Sequence, residues 1–315
     1  MQKVTIVIPN YNGRRLLENC LKTLENQTYT DFKVLIIDNG STDGSKEIIS
    51  DTLDMEMVSL ETNLGFCGAV NLGIQMTNTP YIILLNNDTE TDRYFVETLL
   101  KAIERSEKIF SCGAQMIDFQ NHKILDNAGD LYTAMGWAVA RGKGKRCIDY
   151  EKKKRVFSCC AGAAIYRMDI LNQIGGLDEH HFAYLEDVDL GYRARIHGFE
   201  NWYIPEAKVY HVGSATTGAR YNEKKVFLAA RNTIFVIYKN MPVLQLALNV
   251  PFIFIGMLIK TLFFVRKGFG EDYCRGILEG IYDCKKCWKV KFRMKNLSNY
   301  FKIQLELWCN LVRII

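Results

Sequence analysis

Four short strand-prone runs punctuate the first hundred residues: Val4–Pro9, Val34–Ile37, Met55–Leu60 and Tyr81–Leu85. Between the first two, Leu16, Leu17, Cys20, Leu21 and Leu24 fall at helical spacing, with Asn12 placed to cap them. Asn39–Gly44 is a dense turn, from which Thr42 or Asp43 can cap a helix to about Ser50. Gly65–Met76 is punctuated by glycine and is predicted helical in its second half, and a further helix runs from about Asp92 to Arg105. Apolar strands alternating with amphipathic helices predict an α/β fold with a mostly parallel sheet covered on both faces.

Beyond Phe110 the periodicity is mixed as far as Phe157, with basic loops at Arg141–Lys145 and Lys152–Arg155. A strand region follows at Val156–Arg167, with a tight Ala161-Gly162-Ala163 segment. Glu186–His197 reads as helix, Trp202–Ile204 as strand and Glu223–Lys239 as helix. Met241–Val265 holds 18 apolar residues in 25, interrupted by Gln245, Asn249, Pro251 and Lys260. Its longest stretch without a polar residue, Val250–Ile259, has ten residues and is short for a spanning helix. A basic, aromatic-bearing stretch follows: Lys285, Lys286, Trp288, Lys289, Lys291, Arg293 and Lys295. Arg231 and Lys239 put positive charge before the apolar segment as well, which favours an interfacial or re-entrant membrane element over a single span. The alternative is a helical subdomain packed on the rest with a solvated basic face.

Composition narrows the classes. The 315 residues are 48% hydrophobic and 24% charged, which excludes global disorder. The net charge of +5 is unevenly placed: residues 266–315 carry +6 and the first 265 carry −1. A uniformly basic nucleic-acid binder is therefore not expected. The N-terminal apolar stretch is too short for a signal peptide, so a cytoplasmic chain with reduced cysteines is expected. Cys284-Lys-Lys-Cys287 is the one C-x-x-C pair, and its candidate zinc partners, Cys274 and Cys309, are irregularly spaced.

Small polar residues end all four strands: Asn10-Tyr11-Asn12, Asp38, Asn63, and Asn86 with Asp88. In parallel sheets ligands bind at these carboxyl ends. Asp88 can ligate a hard cation or cap the next helix through an Asx turn. Asp38 can accept hydrogen bonds from a ribose or base, or serve its own turn. Neither G-x-G-x-x-G nor a P-loop is present. Glu186-Asp187-Val188-Asp189 concentrates three carboxylates at a helix start. Asp187, on the packing side, has the setting of a general base, against the plainer reading of a helix-dipole partner. Asp189 and Arg193 read as an ordinary i,i+4 surface pair. His211 is a metal ligand or a structural histidine.

Seven segments in order carry a resemblance: Val7-Ile-Pro-Asn-Tyr-Asn12, Ile37-Asp-Asn-Gly-Ser-Thr-Asp43, Asn63-Leu-Gly-Phe-Cys-Gly-Ala-Val-Asn-Leu-Gly73, Leu84-Leu-Asn-Asn-Asp-Thr89, Gly175-Gly-Leu-Asp178, Tyr184-Leu-Glu-Asp-Val-Asp-Leu190 and His211-Val-Gly-Ser214. Over residues 1–240 the chain resembles inverting glycosyltransferases of family 2, above all the bacterial rhamnosyltransferase-like subgroup. The resemblance implies a GT-A (Rossmann-like) fold. It implies that Asp38 binds the nucleotide, framed by Pro9, Asn10, Tyr11, Asn12, Asn63, Gly68, Asn86 and Asn87. Asp88 and His211 would hold Mg²⁺ or Mn²⁺, with Asn86 replacing the first aspartate of the family's D-x-D motif. Asp187, with Glu186 beside it, would be the base, and Gly162 and Ala163 would approach the donor sugar or acceptor. The donor would be a UDP- or dTDP-linked sugar. The acceptor would be a glycan or lipid-linked hydroxyl in cell-surface polysaccharide synthesis, at the cytoplasmic face of the inner membrane. Residues 1–105 would form the nucleotide-binding half and 106–240 the acceptor and catalytic half, with 241–315 a helical membrane-associating extension. Two other readings stand beside this one. A nucleotidyltransferase would need a basic Gly-rich loop where only Arg14-Arg15 stand. A non-catalytic sugar-binding membrane scaffold would have lost the site carboxylates, yet Asp38, Asp88, Glu186 and Asp187 are all present.

Overall fold

A computed structural model describes residues 2–213 and 221–314, so Ser214 of the last motif lies outside the described residues. Strands β1 (Val4–Asn10), β2 (Phe32–Asp38), β3 (Met55–Ser59) and β4 (Tyr81–Leu85) lie parallel in the order β3-β2-β1-β4. The apolar runs of β1, β2 and β4 are explained by burial on both faces, whereas β3, at the sheet edge, is only partly covered. Val4, Ile6, Ile8, Val34, Ile36 and Ile83 pack with α1 (Arg14–Leu24) and α3 (Phe95–Ile103). The alternate residues Val7, Leu35, Ile37, Ile82 and Leu84 pack under α2 (Gly65–Met76).

Three local expectations are corrected. Asn12 does not cap α1: its side-chain oxygen accepts from the Thr42 amide, and Asp43 Oδ2 takes the Arg14 amide at 2.8 Å. No helix reaches Ser50; only a 3₁₀ turn forms at Ser45–Glu47, because this stretch lacks an apolar stripe and Ile49 is 82% exposed. Residues Gly65–Met76 are helical throughout, and Gly65 starts the helix at φ +77°, where a Cβ would lie 2.6 Å from the Phe182 carbonyl oxygen.

The second half completes a ten-stranded mixed sheet. Short β5 (Thr89–Thr91) precedes α3, and β6 (Ile109–Asp118), buried over nine residues, follows it. Short strands account for the mixed periodicity: β7 (Leu125–Asn127) folds back on β6, β8 (Asp130–Tyr132) and β9 (Ala138–Ala140) form a separate two-stranded sheet, and β10 (Lys154–Val156) pairs with a later strand of the main sheet. Strand β11 (Ala163–Arg167) runs antiparallel between β4 and β6 and leads into α4 (Met168–Ile174). Helix α5 (Glu186–Ile196) covers the sheet, and β12 (Glu200–His211) runs parallel to β6 and ends at His211. Helix α6 (Glu223–Asn240) leads to the C-terminal helices α7 (Val243–Arg266), α8 (Gly270–Asp283) and α9 (Leu297–Arg313).

Helix α7 is built inside out. Gln245, Asn249, Ile253 and Gly256 face the protein, whereas Leu244, Leu248, Phe254, Ile255, Leu258 and Leu262 are exposed. Gln245 and Asn249 thus fall on one buried face, with Lys260 half-buried over the Trp137 ring, and the outer face is apolar along most of its length. Among the described residues α7 is the one helix long and apolar enough to cross a membrane. Its inner face is fixed by amides. Asn249 and Gln304 of α9 exchange two hydrogen bonds of 2.8 Å, and Tyr192 donates to Gln245 at 2.8 Å. Replacing Asn249 by leucine strands the Gln304 amide and is expected to cost about 1–3 kcal/mol in urea unfolding. Adding Gln304→Leu should recover part of that loss; a double variant as unstable as the sum of both singles would contradict the pairing.

Residues on both sides of position 240 share one core, in which Tyr132, Phe157, Val188 and Tyr192 pack with Val236, Met241, Ile253, Tyr300 and Leu307. Cys284 and Cys287 pack with Ile234 and Phe235 of α6, while Cys274 and Cys309 are exposed. All ten cysteines are free thiols.

Candidate active site

In the order β3-β2-β1-β4 the chain turns back at β1, so a crevice opens at the carboxyl ends of β1 and β4. A cleft of about 590 Å³ lies there, lined from the strand tips by Pro9, Asn10, Tyr11, Asn63 and Asn86–Asp88. The tips are tied together by side-chain amides. Asn87 donates to Asn10 Oδ1 at 2.7 Å, and Asn10 donates to Asp38 Oδ1 at 2.9 Å. Asn39 donates to Asn63 Oδ1 at 3.0 Å, and its own oxygen takes the Leu64 amide at 2.8 Å.

Four residues expected at the nucleotide or sugar do not line the cleft. Asp38 is 1% exposed; its carboxylate receives Asn10 and the Ser41 amide, so it braces the tips from behind. Asn12 joins Ser41 and Thr42 in the neighbouring loop. Gly68 is buried on α2, where a Cβ would meet Leu64 at 2.7 Å. Ala163 is buried in β11 opposite Leu85. Gly162 does line the cleft, against the Asn86 side chain. Arg14 lies elsewhere, paired with Glu18 and Glu47.

At the end of β12, His211 stands between two carboxylates. Its Nε2 is 3.3 Å from Asp88 Oδ1 and its Nδ1 is 2.9 Å from Asp126 Oδ2. Burial disfavours the imidazolium, but the two carboxylates outweigh it and push the pKa up to about 9. One ring nitrogen is fixed by an outer carboxylate while the other shares a locus with Asp88, the donor geometry a divalent ion uses. Carboxylate oxygen plus imidazole suits Mn²⁺ and accommodates Mg²⁺.

Across the cleft, Glu186 and Asp187 open α5, and Asp130 approaches from β8. Burial raises the Asp187 pKa to about 6, against hydrogen bonds from the Val188 and Ala161 amides. Burial and the charge of Asp187 hold both Glu186 and Asp130 well above the ordinary carboxylate range. Glu186 Oε2 is buried without a partner among the described residues. Asp130 receives Asn127 at 2.8 Å and Ser158 at 3.1 Å.

The segment before α5 is strained: Phe182, Tyr184 and Leu185 have φ of +62°, +76° and +65°. It is held from α6, where Asn232 donates to the carbonyls of His181, Ala183 and Tyr184 at 2.8–3.0 Å. Beneath it lies a buried ionic network that corrects the expected surface pair. Asp189 and Arg193 are 0% and 1% exposed and 3.0 Å apart. Lys239 of α6, also fully buried, reaches Asp189 at 3.0 Å and Asp178 at 2.7 Å, and Asn240 donates to Asp189 at 2.7 Å. Among the described residues the one group of three His/Cys/Asp/Glu side chains with metal-site spacing is Asp178, His180 and Cys287, where Lys239 already neutralises Asp178.

Sequence reading missed Asn39, Asn127, Asp130 and Lys225 on the cleft and Asp126 behind it. The available signal was the turn Asp126-Asn-Ala-Gly-Asp130, with two carboxylates in five residues.

A family model described as Glycosyl transferase family 2 matches residues 5–175. The chain is 26% identical over 264 residues to the N-acetylglucosaminyl-diphospho-decaprenol L-rhamnosyltransferase of Mycobacterium tuberculosis (strain CDC 1551 / Oshkosh), covering 72% of this chain and 84% of that one. It is 27% identical over 241 residues to the O-antigen chain rhamnosyltransferase RfbN of Salmonella typhimurium, covering 72% and 73%. In fold it is similar to the mannosyltransferase PcManGT from Pyrobaculum calidifontis in complex with GDP-Man and Mn²⁺, with a TM-score of 0.58 at 12% identity, covering 89% and 87%. With more than half its length matched by the family and a GT-A-like sheet around the cleft, the chain belongs to glycosyltransferase family 2.

Proposed function

We propose that the protein transfers a sugar, with inversion, from a UDP- or dTDP-linked donor to a hydroxyl of a glycan or lipid-linked acceptor of the cell surface. The observation that carries this reading is one cleft with an Asp88–His211 pair on one wall and the Asp130–Glu186–Asp187 cluster on the other. The relatives named as rhamnosyltransferases support the polysaccharide context.

The nucleotide lies along Pro9–Tyr11 and Asn63. Asp88 and His211 would hold Mg²⁺ or Mn²⁺, which would supply positive charge to the leaving diphosphate. The acceptor oxygen attacks the anomeric carbon as Asp187 takes its proton, and the bond to the diphosphate oxygen breaks on the opposite face. The diphosphate leaves with the electron pair. A single displacement needs no enzyme nucleophile. Residues 1–240 carry this chemistry, and 241–315 bring it to the membrane. The apolar face of α7 and the basic residues after α8 support peripheral attachment at the cytoplasmic surface, where a lipid-linked acceptor is at hand.

A thermal-shift screen of nucleoside diphosphates and nucleotide sugars, with and without Mn²⁺, tests the reading. A matching donor at a hundred times its Kd is expected to stabilise by about 2.7 kcal/mol, more strongly with the ion. Stabilisation by none of them would overturn it.

A further inference from the structure

A second pocket, of about 240 Å³, lies on the far side of α5, closed by the irregular stretch after Cys287. The stretch is pinned where the Val290 amide donates to the Lys239 carbonyl at 2.9 Å. Trp288 lies over Arg193 and Lys239, at 4.8 and 4.5 Å. Around the pocket stand Arg193, His197, Lys289, Lys291 and Arg293. No carboxylate lines it among the described residues. The nearest acid behind it, Asp189, is spent on Lys239, Arg193 and Asn240. Lys291 and Arg293 are exposed and have no ion-pair partner among the described residues. Burial and the charges of Arg293, Lys295 and Arg193 hold the His197 pKa below its ordinary value, as expected where cations gather without counterions.

Arg193 is spent on Asp189 and on the Ile174, Gly175 and Gly176 carbonyls, so Lys289, Lys291 and Arg293 are the cations left to the pocket; a concave site so lined takes an anion, and guanidinium with ammonium groups suits phosphate oxygens. Beside it Phe292 and Met294 are exposed, 45% and 71%. The same surface therefore offers charge for a headgroup and apolar side chains for the acyl boundary. We propose that this pocket binds the phosphate of an anionic lipid headgroup. The lipid source rests on the membrane reading above; the anion site does not.

The test compares the full chain with Lys291→Ala/Arg293→Ala and with a control, Lys285→Ala/Lys302→Ala, which removes equal charge from exposed positions outside the pocket. Binding to phosphatidylglycerol-containing vesicles is expected to fall roughly tenfold in the pocket variant and much less in the control, with binding to pure phosphatidylcholine vesicles unchanged. Equal losses in both variants, or none in the pocket variant, would overturn the proposal. A parallel thermal-shift titration with inorganic phosphate separates the sources. Saturable stabilisation that the pocket variant loses, without preference for anionic vesicles, assigns the site to free phosphate and overturns the lipid. Failure to bind any vesicle overturns the membrane reading, while the phosphate titration still reads the site.

Discussion

Asp187→Asn is expected to lower the rate of sugar transfer by roughly 10²–10⁴-fold while leaving donor affinity nearly unchanged. The amide keeps the shape of the side chain and loses the basic oxygen. Because burial raises the Asp187 pKa to about 6, transfer by the natural chain should fall on the acid side of pH 6 and level off above it. The residual activity of the variant should lack that limb. Stability moves the other way. The folded pKa exceeds the unfolded one, so ionised Asp187 is a cost that grows as pH rises through about 6. Asp187→Asn should therefore be more stable near pH 8, by on the order of 1–2 kcal/mol. Single-turnover rates across pH, with thermal unfolding of the same samples, read both effects. Normal turnover would remove Asp187 from the role of base and leave Glu186 and Asp130 as the groups to test.

Lys239→Met is expected to be the most destabilising of the substitutions considered, by about 3–5 kcal/mol in urea unfolding. It removes the ammonium shared by Asp178 and Asp189, both of them buried, and leaves Asp189 to Arg193 and Asp178 to His180. Both carboxyls are held below the ordinary carboxylate range, despite burial, chiefly by Lys239. Their contribution is present at neutral pH and is lost as pH falls through those depressed values, so the natural chain should lose more stability in acid than the variant. Lys239→Met combined with Asp178→Asn should cost less than the two singles together. A loss below about 1 kcal/mol for Lys239→Met would mean that the network is not an energetic unit.

The sheet and the polar strand tips were legible because each depends on neighbours in sequence. An apolar run that stops at Asn86 and Asp88 marks a strand end whatever lies above it. Asp189 was not legible: four residues from Arg193, it has the spacing of a solvated pair, and only Lys239, fifty residues later, shows that the pair is buried. Asp126 and Asp130 escaped for a related reason. They sit in hairpins too short for a periodicity, and their meaning comes from His211 and Asp187, which pack against them from distant elements. In the sequence Gln245 and Asn249 interrupt an apolar run. They fall four apart, on one helix face, and that face is the inner one.

Helix α9 carries a consequence for the cleft. Its Leu307 carbonyl accepts the Ala134 amide, Asn310 donates to the Tyr132 carbonyl, and Glu306 pairs with Arg195 of α5. The hairpin that bears Asp130 and the helix that begins with Glu186 and Asp187 thus lean on a helix that lies 111 to 178 residues further along the chain. The strand tips also reach downstream, for the Asn86 amide donates to the Gly162 carbonyl at 2.9 Å and His211 stands against Asp88, but none of these partners lies in α9. Loosening α9 is therefore expected to disturb the Asp130–Glu186–Asp187 wall of the cleft before it disturbs β1 and β2.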